Sequence, residues 1–184
     1  GEKVGTVNLK QQLASLLKLQ IIDTEIFALK AEKEAKPQEI KVLTDAFEEK
    51  KQCLADIEKK SLDIQKQKKD KELELGTKDE AAKKLQTQLF SLKTNKEYQA
   101  MLQQIKDAKA DASVIEDAIL ECLDQIDKVK IELEEAKKKV SEEEKAYNQE
   151  KKKVDDRVRV IDTRLSELNA QRSQVLPEIE EKIL

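Results

Sequence analysis

Histidine is absent from all 184 residues, which removes His-based catalytic triads, imidazole metal ligands and the usual proton shuttle at neutral pH. Tryptophan is absent too, and aromatic residues make up only 3% of the chain. That is too little aromatic bulk for a rounded core, or for a surface that stacks single-stranded nucleic acid. The three glycines, Gly1, Gly5 and Gly76, are isolated, so no glycine-rich loop is present to cradle phosphates. The two cysteines, Cys53 and Cys122, lack metal-ligand spacing; their places along the helical pattern predict small buried apolar residues. No apolar run is long enough to span a bilayer and the start shows no signal-peptide pattern, so a cytoplasmic protein without membrane contact is expected.

What fills the chain instead is charge, at 41% of residues against 38% hydrophobic. The 36 basic and 39 acidic side chains nearly cancel to a net charge of -3, which argues against non-specific nucleic-acid binding by the whole surface. High charge with few aromatics also fits disorder, and periodicity decides between the two readings. In the first half Leu19, Ile22, Ile26, Leu29, Ile40, Leu43, Phe47, Leu54, Ile57, Ile64, Leu75, Ala82, Leu85, Leu89 and Leu92 keep a heptad register. In the second half every seventh residue from Tyr98 through Ile105, Ala112, Ile119, Ile126, Leu133, Val140, Tyr147, Val154, Ile161 and Leu168 to Val175 is apolar or aromatic. Met101, Ala108, Ile115, Cys122, Val129 and Ala136 fall at the three-residue step between them, and Val158 and Leu165 at the four-residue step. The change predicts a local rotation of the seam between residues 143 and 150.

The fold class predicted is all-α, a long antiparallel two-helix coiled-coil hairpin. Pro37 suits the first turn of a restarted helix, and Gly76 before Thr77-Lys78-Asp79-Glu80 reads as a stop followed by a capping box; breaks are expected near both. Pro177 predicts another helix end, before the apolar residues Ile179, Ile183 and Leu184. Thr94 and Glu97 repeat the capping-box spacing at the midpoint of the chain, so one helix starts there and another ends just before. Residues 1–8 are then a flexible N-terminal segment or a processing remnant, 9–90 the first arm, 91–95 the tip and 96–184 the second arm. If the fold-back centres on Leu92 and Lys93, Lys78 lies opposite Asp107, Lys68 and Lys71 near Glu116 and Asp117, and Lys33 and Lys36 near Glu150. Basic seam residues of the first arm would meet acidic ones of the second, a device that sets alignment more than stability. The same alignment puts Cys53 and Cys122 too far apart for a disulfide.

An enzyme is not expected, because carboxylates such as Glu134 and Glu142 would be solvated rather than held in two different environments within a cleft. The lysine runs at 66–71, 137–139 and 151–153 are interleaved with or flanked by acids, as on a solvated helix face. The most specific local feature is the tip, Lys93, Thr94, Asn95, Lys96, Glu97, Tyr98 and Gln99. It combines a tight turn, a capped helix start and the first aromatic of the second seam. These residues either shape the turn alone or form a docking site for a protein partner. A structural or oligomerising spacer is a further reading, in which Leu17, Ile21, Phe27 and Phe90, left outside the seam, pair two hairpins as a homodimer.

The run Leu92-Lys93-Thr94-Asn95-Lys96-Glu97-Tyr98-Gln99-Ala100-Met101-Leu102-Gln103-Gln104-Ile105 closely resembles the turn motif of a bacterial family with a long coiled-coil hairpin followed by a C4-type zinc ribbon. Leu16-Leu17-Lys18-Leu19-Gln20-Ile21-Ile22-Asp23 resembles that family's start. The resemblance implies a non-enzymatic scaffold or adaptor, with links to the sigma-54 transcription factor and to flagellar or type III secretion components. It further implies that two Cys-x-x-Cys pairs after the hairpin hold zinc, in a ribbon that contacts nucleic acid or protein. The present sequence ends at Leu184 without such pairs, so no cofactor is expected in this chain. Zinc is expected in a parent protein in which the ribbon follows.

Overall fold

The computed structural model describes residues 2–179, with side chains from Asn8 onward. It is a helical hairpin of two long helices, α1 (Glu2–Leu89) and α2 (Asn95–Val175), closed by a short 3₁₀ turn at Leu176–Glu178. Each of the fifteen heptad residues named for the first half is buried or half-buried, and so is each of those named from Ile105 onward. Tyr98 departs from the pattern and is 41% exposed.

The chain divides into two compact units. In Gly1–Glu48 with Glu143–Leu184, a cluster of Leu19, Ile22, Ile26, Leu168, Val175 and Ile179 forms the core, and Leu16, Leu29, Leu165 and Leu176 pack against it. Ile161 and Leu168 are 0% and 1% exposed. Phe47 stacks on Tyr147 with ring centroids 5.5 Å apart and planes at 15°. Val158 and Leu165 are half-buried, as the changed step in the seam requires. In Glu49–Glu142, Ile64, Cys122 and Val129 form the core cluster, with Ile57 and Ile126 against it. Apolar stripes from both helices therefore meet in each unit, which is where most of the helical stability of such sequences arises.

The expected breaks at Pro37 and Gly76 do not occur, for α1 continues through both. Pro37 removes one backbone hydrogen bond at a cost of about 3 kcal/mol, yet Ile26 and Leu29 before it and Ile40, Leu43 and Phe47 after it are held in the seam. Gly76 has no left-handed backbone, and Thr77 donates its hydroxyl to the Leu73 carbonyl four residues back at 3.2 Å as a helix-interior residue does, instead of capping a new helix. Packing over many residues outweighs two local breakers. Helix α1 also begins at Glu2, so from that residue on the segment read as a flexible start belongs to the helix. At the other end Pro177 behaves as expected: α2 stops at Val175, and Ile179 is extended and 6% exposed. Ile183 and Leu184 lie outside the described residues.

The alignment of the arms is displaced from the one that charges suggested. Lys33 meets Asp162 at 2.6 Å, while Glu150 pairs with Lys153 and Lys36 with Glu39, each on its own helix. Lys68 and Lys71 likewise pair with Glu72 and Glu74 along α1. Lys60 reaches Glu132, and the Phe47–Tyr147 stack agrees with a shift of about one heptad. A slip of that size returns every apolar residue to the seam, so the repeat cannot choose between the two alignments. Exposed ion pairs, each worth about 0–1 kcal/mol, are too weak to choose either. The acidic-to-basic sense is partly reversed as well: Asp23, Glu25 and Glu32 of α1 face Arg172, Arg164 and Arg157 of α2.

Among the described residues no helix is long and apolar enough to cross a membrane.

Candidate docking site at the turn

Helix α1 ends at Leu89 and α2 starts at Asn95, one residue earlier at each boundary than the sequence suggested. The Ser91 amide and hydroxyl both donate to the Gln88 carbonyl, at 3.1 and 2.8 Å, and satisfy an acceptor that the end of α1 would otherwise leave open. The chain then crosses through Leu92, which is half-buried. Thr94 caps α2 as its spacing predicts, its hydroxyl oxygen accepting from the Glu97 amide at 3.2 Å and its carbonyl from the Tyr98 amide at 3.1 Å. Glu97 places a carboxylate in the first turn of α2, where the helix dipole favours it.

All seven residues proposed at the tip, Lys93 through Gln99, are exposed, and so is Ala100. The seam closes only at half-buried Met101 and at Ile105, which is 6% exposed. Phe90, just after the end of α1, is 91% exposed, and in the first turns of α2 Tyr98 is 41% and Leu102 36% exposed. The turn therefore carries two aromatic rings, the ammonium groups of Lys93 and Lys96, and a backbone held by its own hydrogen bonds. Sequence reasoning placed Phe90 among residues left outside the seam but not in the tip. Its position directly after Leu89, the last seam residue of α1, was the available signal.

Other parts of the surface offer less chemistry. The two cysteines are free, Cys122 buried and Cys53 exposed; the expectation of burial fails for Cys53 because its position turns away from the seam. Neither belongs to a metal-ligand set, as no group of three or more His, Cys, Asp or Glu residues converges among the described residues. The chain's own residues thus do not fit a C4 zinc site. Shifted titrations sit on cross-helix ion pairs. The hydrogen bond from Arg164 holds the Glu25 carboxyl below its usual range against a smaller opposing effect of desolvation. Arg157 acts likewise on Glu32, and the same carboxylates raise both guanidinium values. These groups form partly exposed ion pairs between the two helices.

A second feature, overlooked in part at the sequence level, is an apolar stripe on α1. Leu9, Leu13, Leu17 and Ile21 are 55%, 51%, 60% and 69% exposed, and Phe27 is 77% exposed. Leu17, Ile21 and Phe27 were recognisable as residues outside the heptads. The strict four-residue step that joins Leu9 and Leu13 to Leu17 and Ile21 was the missed signal.

Fold and site together define an all-α helical hairpin that offers a turn and one helix face to its surroundings. The chain is similar in structure to CT398 from Chlamydia trachomatis, with a TM-score of 0.83 and 18% identity over 97% of this chain and 75% of that one. It is also similar to the HP0958 protein of Helicobacter pylori CCUG 17874, with a TM-score of 0.66 and 19% identity over 94% of this chain and 73% of that one. At such identities the likeness is one of fold. No protein-family model and no curated protein matches the chain.

Proposed function

We propose that the chain is a non-enzymatic, cytoplasmic protein-binding scaffold whose turn docks a protein partner. The observation that carries this reading is Phe90, 91% exposed beside a helix start that Thr94 caps and Tyr98 flanks. An exposed ring costs nothing further to display once the backbone is held, and aromatic side chains dominate the energetics of protein interfaces. Lys93 and Lys96 suit a partner surface that is apolar at its centre and acidic at its rim. The turn is convex, so the partner supplies the pocket.

The resemblance of the turn motif nominates the sigma-54 factor and flagellar or type III secretion components as partners, and a zinc ribbon outside residues 1–184 as the element that would contact nucleic acid. The test is a pull-down of these proteins, each purified, on the immobilised chain. Phe90→Ala and the double variant Lys96→Glu, Tyr98→Ala should reduce recovery at least tenfold while the helical circular dichroism stays unchanged, as expected for interface anchors worth more than about 1.4 kcal/mol. Equal recovery by wild type and both variants removes the turn as the docking site.

A further inference from the structure

We infer that the turn end of the hairpin takes an acidic amphipathic α-helix of a partner protein, an inference that rests on the turn being the docking site and adds the partner's chemistry. Lys60 stands level with Glu132. From that pair, an equal number of residues along each helix brings Leu89, the end of α1, level with Gln103 of α2. Residues 95–102, the first two turns of α2, therefore project about 12 Å past the end of α1. Tyr98 departs from its seam for this reason: no residue of α1 stands opposite it. The connecting residues cover the overhang only in part, since Leu92 is half-buried while Phe90, Tyr98 and Leu102 stay exposed.

Charge selects what meets this end. The same alignment sets Lys83 level with Lys109, so residues 83–109 make up the end of the hairpin. They carry Lys83, Lys84, Lys93, Lys96, Lys106 and Lys109, all exposed, against two acids, Glu97 and Asp107. Six lysines against two acids give +4 in a chain of net -3, which leaves -7 for all other residues. Positive charge is concentrated around the exposed rings of a chain that is otherwise acidic, so an acidic partner is steered to this end.

The backbone selects the partner's form. Both helices use their main-chain groups internally and present no strand edge to extend, so the contact is one of side chains. Tyr98, Met101 and Leu102 have the three- and four-residue spacing by which helices pack. A facing helix receives Tyr98 as a knob in a hole between its own apolar side chains, and acidic residues on its flanks meet the lysines. A contact two turns long belongs with the small, transient interfaces.

The probes are two labelled peptides of about three heptads, with Leu at the seam positions and either Glu or Lys at the flanking ones, and a thymidine oligonucleotide of similar length. Fluorescence anisotropy with the full chain at about 100 µM, above the micromolar range of weak interfaces, should show binding of the Glu peptide. The Lys peptide and the oligonucleotide should bind at least about tenfold more weakly, and the Glu peptide should lose affinity severalfold between about 50 and 500 mM NaCl. Lys83→Glu, Lys84→Glu, Lys106→Glu and Lys109→Glu together should weaken the Glu peptide about tenfold at unchanged helicity, as should Tyr98→Ala with Leu102→Ala. The same change of charge at four other exposed lysines, Lys59→Glu, Lys66→Glu, Lys69→Glu and Lys130→Glu, should cost far less. No binding of the Glu peptide, equal binding of both peptides, tighter binding of the oligonucleotide, or indifference to the four reversals at the end overturns the proposal. If Phe90→Ala still reduces recovery in the pull-down, the turn then remains a docking site for a partner of other chemistry; if it does not, the underlying reading has failed as well.

Discussion

Arg164 holds Glu25 across the two helices with two hydrogen bonds, Nε to Oε1 at 2.8 Å and Nη2 to Oε2 at 3.1 Å. Arg157 repeats the arrangement on Glu32 at 3.0 and 2.8 Å. Two-point contacts fix the mutual orientation of the paired side chains, so these surface pairs mark which turns of α1 and α2 stand level without themselves deciding it.

Both glutamates titrate below the ordinary carboxylate value in the folded chain. A depressed folded-state pKa means that the contribution to stability is complete above the unfolded value, about 4.3 for glutamate, and disappears as pH falls through the depressed value. The melting temperature should therefore drop on acidification below about pH 4.3. In the variant Glu25→Gln, Glu32→Gln it should start lower at pH 7 and drop less. Parallel pH profiles for the two proteins would contradict the assignment.

Continuity of α1 through Pro37 and Gly76 has an opposite sign from what a broken helix would give. Pro37→Ala should stabilise by up to about 3 kcal/mol and Gly76→Ala by about 1 kcal/mol, since both restore helix propensity. A methyl group at Gly76 meets nothing within 4 Å. Urea denaturation measures both, and destabilisation by either alanine would point to a bend or a left-handed cap at that residue.

Packing in the seam should make adjacent residues differ sharply. Ile161 is fully buried and Val160 is 56% exposed. Ile161→Ala should cost about 3 kcal/mol, whereas Val160→Ala should stay within roughly 0.5–1 kcal/mol. Comparable losses in thermal melts would show that the seam lies elsewhere on α2.

Alignment of the arms is directly measurable. Lys60 forms an ion pair with Glu132, whereas a fold-back centred on Leu92 and Lys93 would place Gln125 opposite. Spin labels at 60 and 132 should therefore report a shorter distance than labels at 60 and 125, which differ by about 10 Å along the axis. The reverse order would restore the alignment that seam charges suggested.

The sequence by itself determined that the chain forms two helices meeting along apolar seams, and where they turn. Heptad spacing specifies which side of a helix must leave water, and the Thr94–Glu97 pattern marks a helix start through its own hydrogen bond. The turn motif was legible for the same local reason, while the display of Phe90 depended on where α1 releases the chain. Only the tertiary structure decided three matters. Helix α1 ignores Pro37 and Gly76 because burial summed along the seam exceeds the local cost. Arg157, Arg164 and Arg172 find acidic partners that no charge count could have chosen. The arms stand about one heptad from the symmetric alignment, since a periodic pattern is satisfied equally by every whole-repeat slip and the choice falls to contacts made only when the helices meet.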